Sequence, residues 1–405
     1  MSFTVQVTDS HGAAASASLS IPQAGAPIDL TQGLVTGKAK VSYTAAARPA
    51  KGVPFTDPDF HTRIIRVTDV QADWNGNTAV PVYPTVPTWN CDESYMLLYI
   101  RGGPGQYALF NGKTYAFLKW VSITPADIEQ FNWDPVNPDV LWYISGKSLT
   151  QYHISSGTKT VTHTFSSNAD WGDDPIYFSW DGSLYGLREQ SSKTILSLKN
   201  GVEHSIAGSG SSPEACASGN YLFWAKSSQA TILNLDMTTL RTMTMKNAIE
   251  HGDLGMDSQG QDYWVGVSFN EGPSGSSGLI MVEWVKSGVI KTIIGDANAD
   301  PYPPNGALIS SKALKNPGWV CAAATGNTAL VPTYQDQEII VANVETGKFA
   351  RVCHHRSRGE NGPIGYWAQP NVTLSPTGTR IVFPSDWGSG SVVDTYVVEL
   401  PSYSG

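Results

Sequence analysis

The sequence predicts an all-β protein, a seven-bladed β-propeller preceded by an N-terminal strand and linker segment, and three observations carry that prediction. Glycine and proline are abundant, 39 and 25 among 405 residues, and 13 Trp and 17 Tyr accompany only 15% charged side chains. That balance favours short strands joined by tight turns over long helices. A unit of two apolar segments, the second ending in a hairpin turn, recurs seven times. Finally, "TRIIRVTD" (62–69) is an unpaired strand ahead of the first unit, whereas the last unit lacks a fourth strand. The two ends are expected to complete one blade and leave no open edge.

Taken in order, the chain opens with "FTVQVTDSHGAAASASLSI", in which apolar and polar residues alternate around a D-S-H-G turn, the pattern of a terminal β-hairpin. It resembles the last two strands of the immunoglobulin-like modules of secreted bacterial proteins, which implies a fragment of such a module and an extracellular, multidomain parent. From Pro22 to about Pro58 the chain is rich in Ala, Gly, Thr and Pro with little periodicity, as suits an extended linker lying over a surface. Residues 1–58 are therefore read as hairpin plus linker, and 59–405 as the propeller.

The seven units begin near Pro81, Ile128, Asp174, Pro213, Glu250, Asn305 and Ala368. Their first apolar segments read "YMLLYI", "VLWYIS", "SLYGLR", "YLFWAK", "YWVGVS", "WVCAAA" and "RIVFPS"; the second series includes "YALFNGKTY", "ILSLKNGVE" and "IIVANVETGK". N-G, S-G and T-G pairs recur at the same place in the unit, where a tight hairpin needs positive φ. Units of about 40 to 60 residues, each offering a small four-stranded sheet, are what a propeller requires.

Composition removes several function classes. With 35 acidic against 26 basic side chains and a formal charge of -9, the basic footprint of a nucleic-acid binder is missing. No stretch approaches the roughly 18 to 20 apolar residues that span a bilayer, so no membrane partner is expected, and the chain is read as a monomer. Cys91, Cys216, Cys321 and Cys353 are widely spaced without a C-x-x-C pair and are read as small buried thiols. No G-x-S-x-G elbow, H-E-x-x-H helix or phosphate-cradling glycine loop occurs.

In a propeller the loops entering the innermost strands gather around the channel mouth. Polar residues at those positions are Tyr83, Gln130, Asn132, Asp173, Asp174, Tyr177, Glu214, His251, Asp253, Asn305, Gln369 and Asn371. The loop into the last unit adds His354, His355, Arg356, Arg358, Tyr366 and Trp367, and is placed at the same mouth.

Two stretches then carry a likeness. "EHGDLGMDSQGQDYWVG" (250–266), and "HHR" followed by "AQPNVTLSPTGTRIVFPSDWG" (368–388), resemble segments of the oligogalacturonate-lyase-like seven-bladed propellers. The resemblance implies β-elimination on a uronic-acid polymer, which needs a base for the proton beside the carboxylate and a cation to neutralise that carboxylate. Carried over, His251 matches the blade position of the catalytic or ligand histidine, and His355 with Arg356 the loop of further polar groups; in the lyase reading His251 or His355 is the base, Arg356 the neutralising group, and Tyr177 or Tyr366 the proton donor to the leaving oxygen. A divalent metal, Ca²⁺ or Mn²⁺, is the one cofactor it admits, with His251, His355 and Gln369 as the candidate donors. One departure stands out: where the pectin-specific members have His-Pro-His, this chain has Gln369-Pro370-Asn371, and amides suit hard cations better than the softer ions that imidazole prefers.

Each signal also has a plainer reading. His251 could brace neighbouring blades through backbone hydrogen bonds, with Asp253 orienting it or capping a turn. His354 and His355 point oppositely if the chain is extended, so one is expected to face solvent. Arg356 suits a sugar carboxylate, but equally an inter-blade salt bridge. Tyr366, Trp367 and Trp171 can stack on sugar rings, yet most tryptophans in a propeller are packing. Asp- and Asn-rich turns such as "GDANADPYPP" lack EF-hand spacing, and His153 and His163 fall on outer strands. The expectation is a secreted propeller that binds a polysaccharide or oligosaccharide at the mouth, with Asp253, Trp367, Trp171, Gln369, Asn371, Arg358 and His354 as contacts. Lyase chemistry is favoured. The alternatives are a non-catalytic carbohydrate- or surface-binding module, and a glycosidase using paired carboxylates from Asp174, Glu214 and Asp253.

Overall fold

The computed structural model describes residues 2–8, 14–20, 27–172, 178–189, 192–198, 201–206, 212–226, 229–246, 251–267, 278–295, 298, 300, 307–325, 334–358 and 364–405. Strands β1 (Ser2–Thr8) and β2 (Ala14–Ser20) form a separate antiparallel hairpin. Seven antiparallel sheets follow, their innermost strands being Thr78–Val80, Phe131–Trp133, Ala169–Asp170, Pro213–Ala215, Gly252–Met256, Ala307–Ser310 and Thr373–Leu374. This is the seven-bladed β-propeller that the repeat predicts. No helix of the described residues is long and apolar enough to cross a membrane.

The apolar runs are continuous, not alternating, because both faces of every blade are buried. In Tyr95–Arg101 of blade 1, Met96, Leu98 and Ile100 pack toward blade 7, while Leu97 and Tyr99 pack toward blade 2. Similar clusters join blades 3 to 4, 4 to 5, 5 to 6 and 6 to 7. A one-residue register slip would move every side chain to the wrong neighbour, so the pairing is tightly specified.

Closure follows the expected route. Strand β4 (Arg63–Arg66) is the fourth strand of blade 7, with Val397 opposite Ile65 and Val398 opposite Ile64. The structure adds a fifth: β3 (Pro54–Thr56) pairs with β4 as the outer edge, where a proline is tolerated. The linker ahead of it is an anchored arm. Leu30 is fully buried in the cluster between blades 6 and 7, the Arg351 N–H donates to Val35 O (2.8 Å), and Trp387 Nε1 donates to Ala46 O (2.9 Å). Cys216, Cys321 and Cys353 are buried, Cys91 is half-buried, and all four are free thiols.

Candidate functional site

The H-H-R motif does not reach the channel mouth. His354 ends the outermost strand of blade 6, Phe349–His354, and the motif packs beneath the arm on the wall between blades 6 and 7. Both histidines are completely buried, which corrects the expectation that one faces solvent.

His355 spends both ring nitrogens on the backbone. Nδ1 accepts from the Ser357 N–H (3.0 Å), so Nε2 carries the hydrogen and donates to Ala324 O (2.9 Å). Burial pushes its pKa down to about 3. No lone pair is left, so this geometry corrects its assignment as general base and as metal ligand: His355 braces the chain where it leaves blade 6.

Arg356, 3% exposed, donates to Thr44 O (2.7 Å) and to Asp57 Oδ2 (3.2 Å), and lies between the rings of Tyr43 and Trp387 at 5.2 and 5.5 Å. Its φ of 58° is a left-handed conformation that a non-glycine residue adopts at a cost. The guanidinium clamps the arm and does not meet a sugar carboxylate. Arg358 is exposed, its backbone N–H bound to Asp386 Oδ1 (3.0 Å).

Two further assignments change for the same reason, burial. Asp253 is fully buried and accepts from Lys312 Nζ (2.6 Å), the Ser311 N–H (2.7 Å) and the Leu254 N–H (2.9 Å), so it ties blade 5 to blade 6 instead of contacting substrate. Burial pushes its carboxyl up, against the pull of Lys312. Trp171, 1% exposed, packs edge-on to Tyr185 inside the core of blades 1 to 3 and offers no face to a sugar. Tyr177, Asp173, Asp174 and Asn305 lie outside the described residues.

What does gather where the chain enters the blade 7 inner strand is an aromatic platform. The short 3-10 turn Gly365–Ala368 presents Tyr366, 48% exposed, and Trp367, whose rings meet edge to face at 6.0 Å. Trp367 stacks on Tyr99 of blade 1 (5.7 Å, 19°), and the exposed Arg101 guanidinium lies 5.1 Å over the Trp367 ring. Gln369 is half-buried, and Asn371 donates to Val82 O (3.2 Å) with its Oδ1 buried and unbonded. His251 heads the blade 5 inner strand, half-buried. Arg101 and Tyr99 escaped sequence reasoning because they lie in an ordinary blade strand, with no motif to mark them.

Two other features were also missed. Asp57, Asp59 and His354 bring one donor atom each within 4.8 Å of the others; the signal was the D-P-D of "FTDPDFH", which the boundary at residue 58 divides between linker and propeller. Where the inner strands leave the channel, a shallow recess is lined by Trp89, Trp133, Phe178, Trp180 and Lys312.

No model of a known protein family matches the sequence, and neither does any curated protein. In fold the chain is similar to an oligogalacturonate lyase solved in complex with manganese (TM-score 0.59, 14% identity, 86% of this chain and 96% of that one). It is likewise similar to the oligogalacturonate lyase of Vibrio parahaemolyticus (0.60, 13%, 87% and 99%). The WD40 domain of Pan2 from Neurospora crassa also superposes (0.50, 13%, 84% and 95%). At these identities the likeness establishes the propeller fold that the two quoted segments imply; it does not carry an activity across.

Proposed function

We propose that this propeller binds an acidic oligosaccharide on the platform between its last and first blades. The observation that carries this reading is the half-exposed Tyr366 and Trp367 pair with Arg101 seated on the Trp367 ring. Aromatic faces take the apolar side of a sugar ring, and a guanidinium beside them takes a carboxylate in a two-pronged hydrogen bond. Among the described residues no ion pair competes for Arg101. The half-buried Gln369 at the edge of the platform supplies a polar contact to ring hydroxyls.

The test is calorimetric titration of oligouronates and of neutral oligosaccharides of equal length. Trp367→Ala should weaken binding about tenfold, the order expected for one stacked ring. Arg101→Gln should remove the preference for the acidic ligand while leaving a weaker, salt-insensitive affinity. Equal affinity of wild type and Trp367→Ala would refute the platform.

Cleavage by β-elimination is the second reading, favoured by His251, the one imidazole among the described residues that heads an inner strand. The lyases named above share the fold, and their chemistry comes to this chain as part of this proposal only. Incubation with a panel of uronic-acid polymers, followed by absorbance of the unsaturated product, separates the two readings. Product that disappears in His251→Gln supports the lyase; tight binding without product leaves the binding module.

A further inference from the structure

We propose that Asp57, Asp59 and His354 form a structural site for one divalent transition ion, Zn²⁺ or Mn²⁺, that staples the N-terminal arm to the wall of the propeller. The donors come from chain-distant segments: Asp57 and Asp59 lie between β3 and β4, and His354 ends the outer strand of blade 6. Folding alone brings them together.

Each donor is already aimed. Asp57 is held by the N–H groups of Asp59 (2.9 Å) and Phe60 (3.0 Å), and Asp59 by the Thr44 N–H (2.9 Å) and hydroxyl (2.5 Å). The imidazole of His354 is fixed between Tyr43 and Phe60, at 4.8 and 4.9 Å. Its Nδ1 is 3.3 Å from Asp59 Oδ2, yet neither ring nitrogen makes a hydrogen bond. A fully buried imidazole whose Nδ1 has only an ion-pair contact with Asp59 and whose Nε2 has no hydrogen-bond partner is costly, and an ion on one lone pair removes much of that cost. The outer partners that metal ligands usually carry are present for both carboxylates.

Charge and donor type set the ion. Two carboxylates face the guanidinium of Arg356, and Arg351, which also acts on His354, is matched by Glu338 at 2.5 Å, so the cluster stays negative. A mixed carboxylate and imidazole set suits zinc or manganese, whereas Ca²⁺ wants six or more oxygens. Arg356, 3.2 Å from Asp57 and 3.8 Å from Asp59, is the ion's competitor. Its removal should strengthen binding, an effect opposite to that of losing a ligand. The site differs from the donors that the lyase resemblance implies at the mouth, since it contains neither His251 nor Gln369.

Tag-free full-length protein stripped with chelator and desalted should take up one Zn²⁺ or Mn²⁺ per chain, with a Tm that climbs with ion concentration. His354→Gln should weaken uptake beyond the ~10–100-fold cost of losing an outer partner, His251→Gln should not change it, and Arg356→Gln should tighten it about tenfold. Zinc-edge absorption on the wild type should show one imidazole among oxygen donors, which keeps the test open if a variant does not fold. Absence of uptake by the wild type, loss of the ion in His251→Gln, or an all-oxygen or multi-imidazole shell would each overturn the proposal.

Discussion

Replacing Arg356 separates a wall clamp from a substrate clamp. In the structure its guanidinium is 3% exposed, 3.2 Å from the fully buried Asp57 and 2.7 Å from Thr44 O. Breaking a buried pair from one side costs about 3 to 5 kcal/mol. Asp57 retains two backbone donors, which places Arg356→Ala near the lower end, about 3 kcal/mol, a large share of the roughly 5 to 15 kcal/mol that holds a domain folded. Arg356→Lys keeps the charge but loses the fork and the stacking between Tyr43 and Trp387, so it should recover part of the loss. The double variant Asp57→Asn with Arg356→Met should be more stable than Arg356→Ala, because the fully buried Asp57 is no longer left as a stranded charge. Urea unfolding followed by tryptophan fluorescence measures these differences, and titration of an acidic oligosaccharide at a temperature where every variant is folded measures affinity. Arg356→Ala with wild-type stability and a binding constant weakened a hundredfold would refute the clamp and return Arg356 to the site.

Three other predictions follow from buried chemistry. Lys312→Met strands the Asp253 carboxylate and should cost about 3 kcal/mol or more, whereas Lys312→Met with Asp253→Asn should recover most of it; denaturant midpoints decide this. His355→Ala leaves Ala324 O and the Ser357 N–H without their partner and should destabilise by about 1 to 3 kcal/mol, with no change in oligosaccharide affinity when titrated below the melting transition. Burial, reinforced by Asp92 and Asp134, pushes the half-buried Cys91 thiol up to about 11. Since the thiolate is the nucleophile, its alkylation should be slow at pH 8 and rise about tenfold per pH unit until near pH 11; a rate that levels off by pH 9 would contradict the burial.

The blades were legible because their signal is local and repeated. "YMLLYI" and its six counterparts carry the apolar residues of one strand, and N-G or S-G pairs mark the turns, so neither needs a distant partner to be recognised. Even the closure by "TRIIRVTD" could be read, because an unpaired strand at one end answered a missing strand at the other. The arm's role was less visible: "AGAPIDLTQGLVTGKAK" lacks periodicity, and only the docking of Leu30 and the hydrogen bonds of Arg351 to Val35, Gly37 and Ala39 make it part of the wall.

The sequence by itself determined the class of fold and the number of blades, both of which depend on hydrophobic period and turn chemistry; the inner strands of blades 1 and 3, Thr78–Val80 and Ala169–Asp170, lie ahead of the Pro81 and Asp174 at which their units were placed. Only the tertiary structure decided which polar residues face a ligand. His355, Arg356 and Asp253 look identical in one dimension whether they meet solvent or a buried partner; the difference lies in Ala324, Asp57 and Lys312, supplied from elsewhere in the chain. A polar side chain's role is set by what stands opposite it in space, and the spacing of residues along the chain does not contain that information.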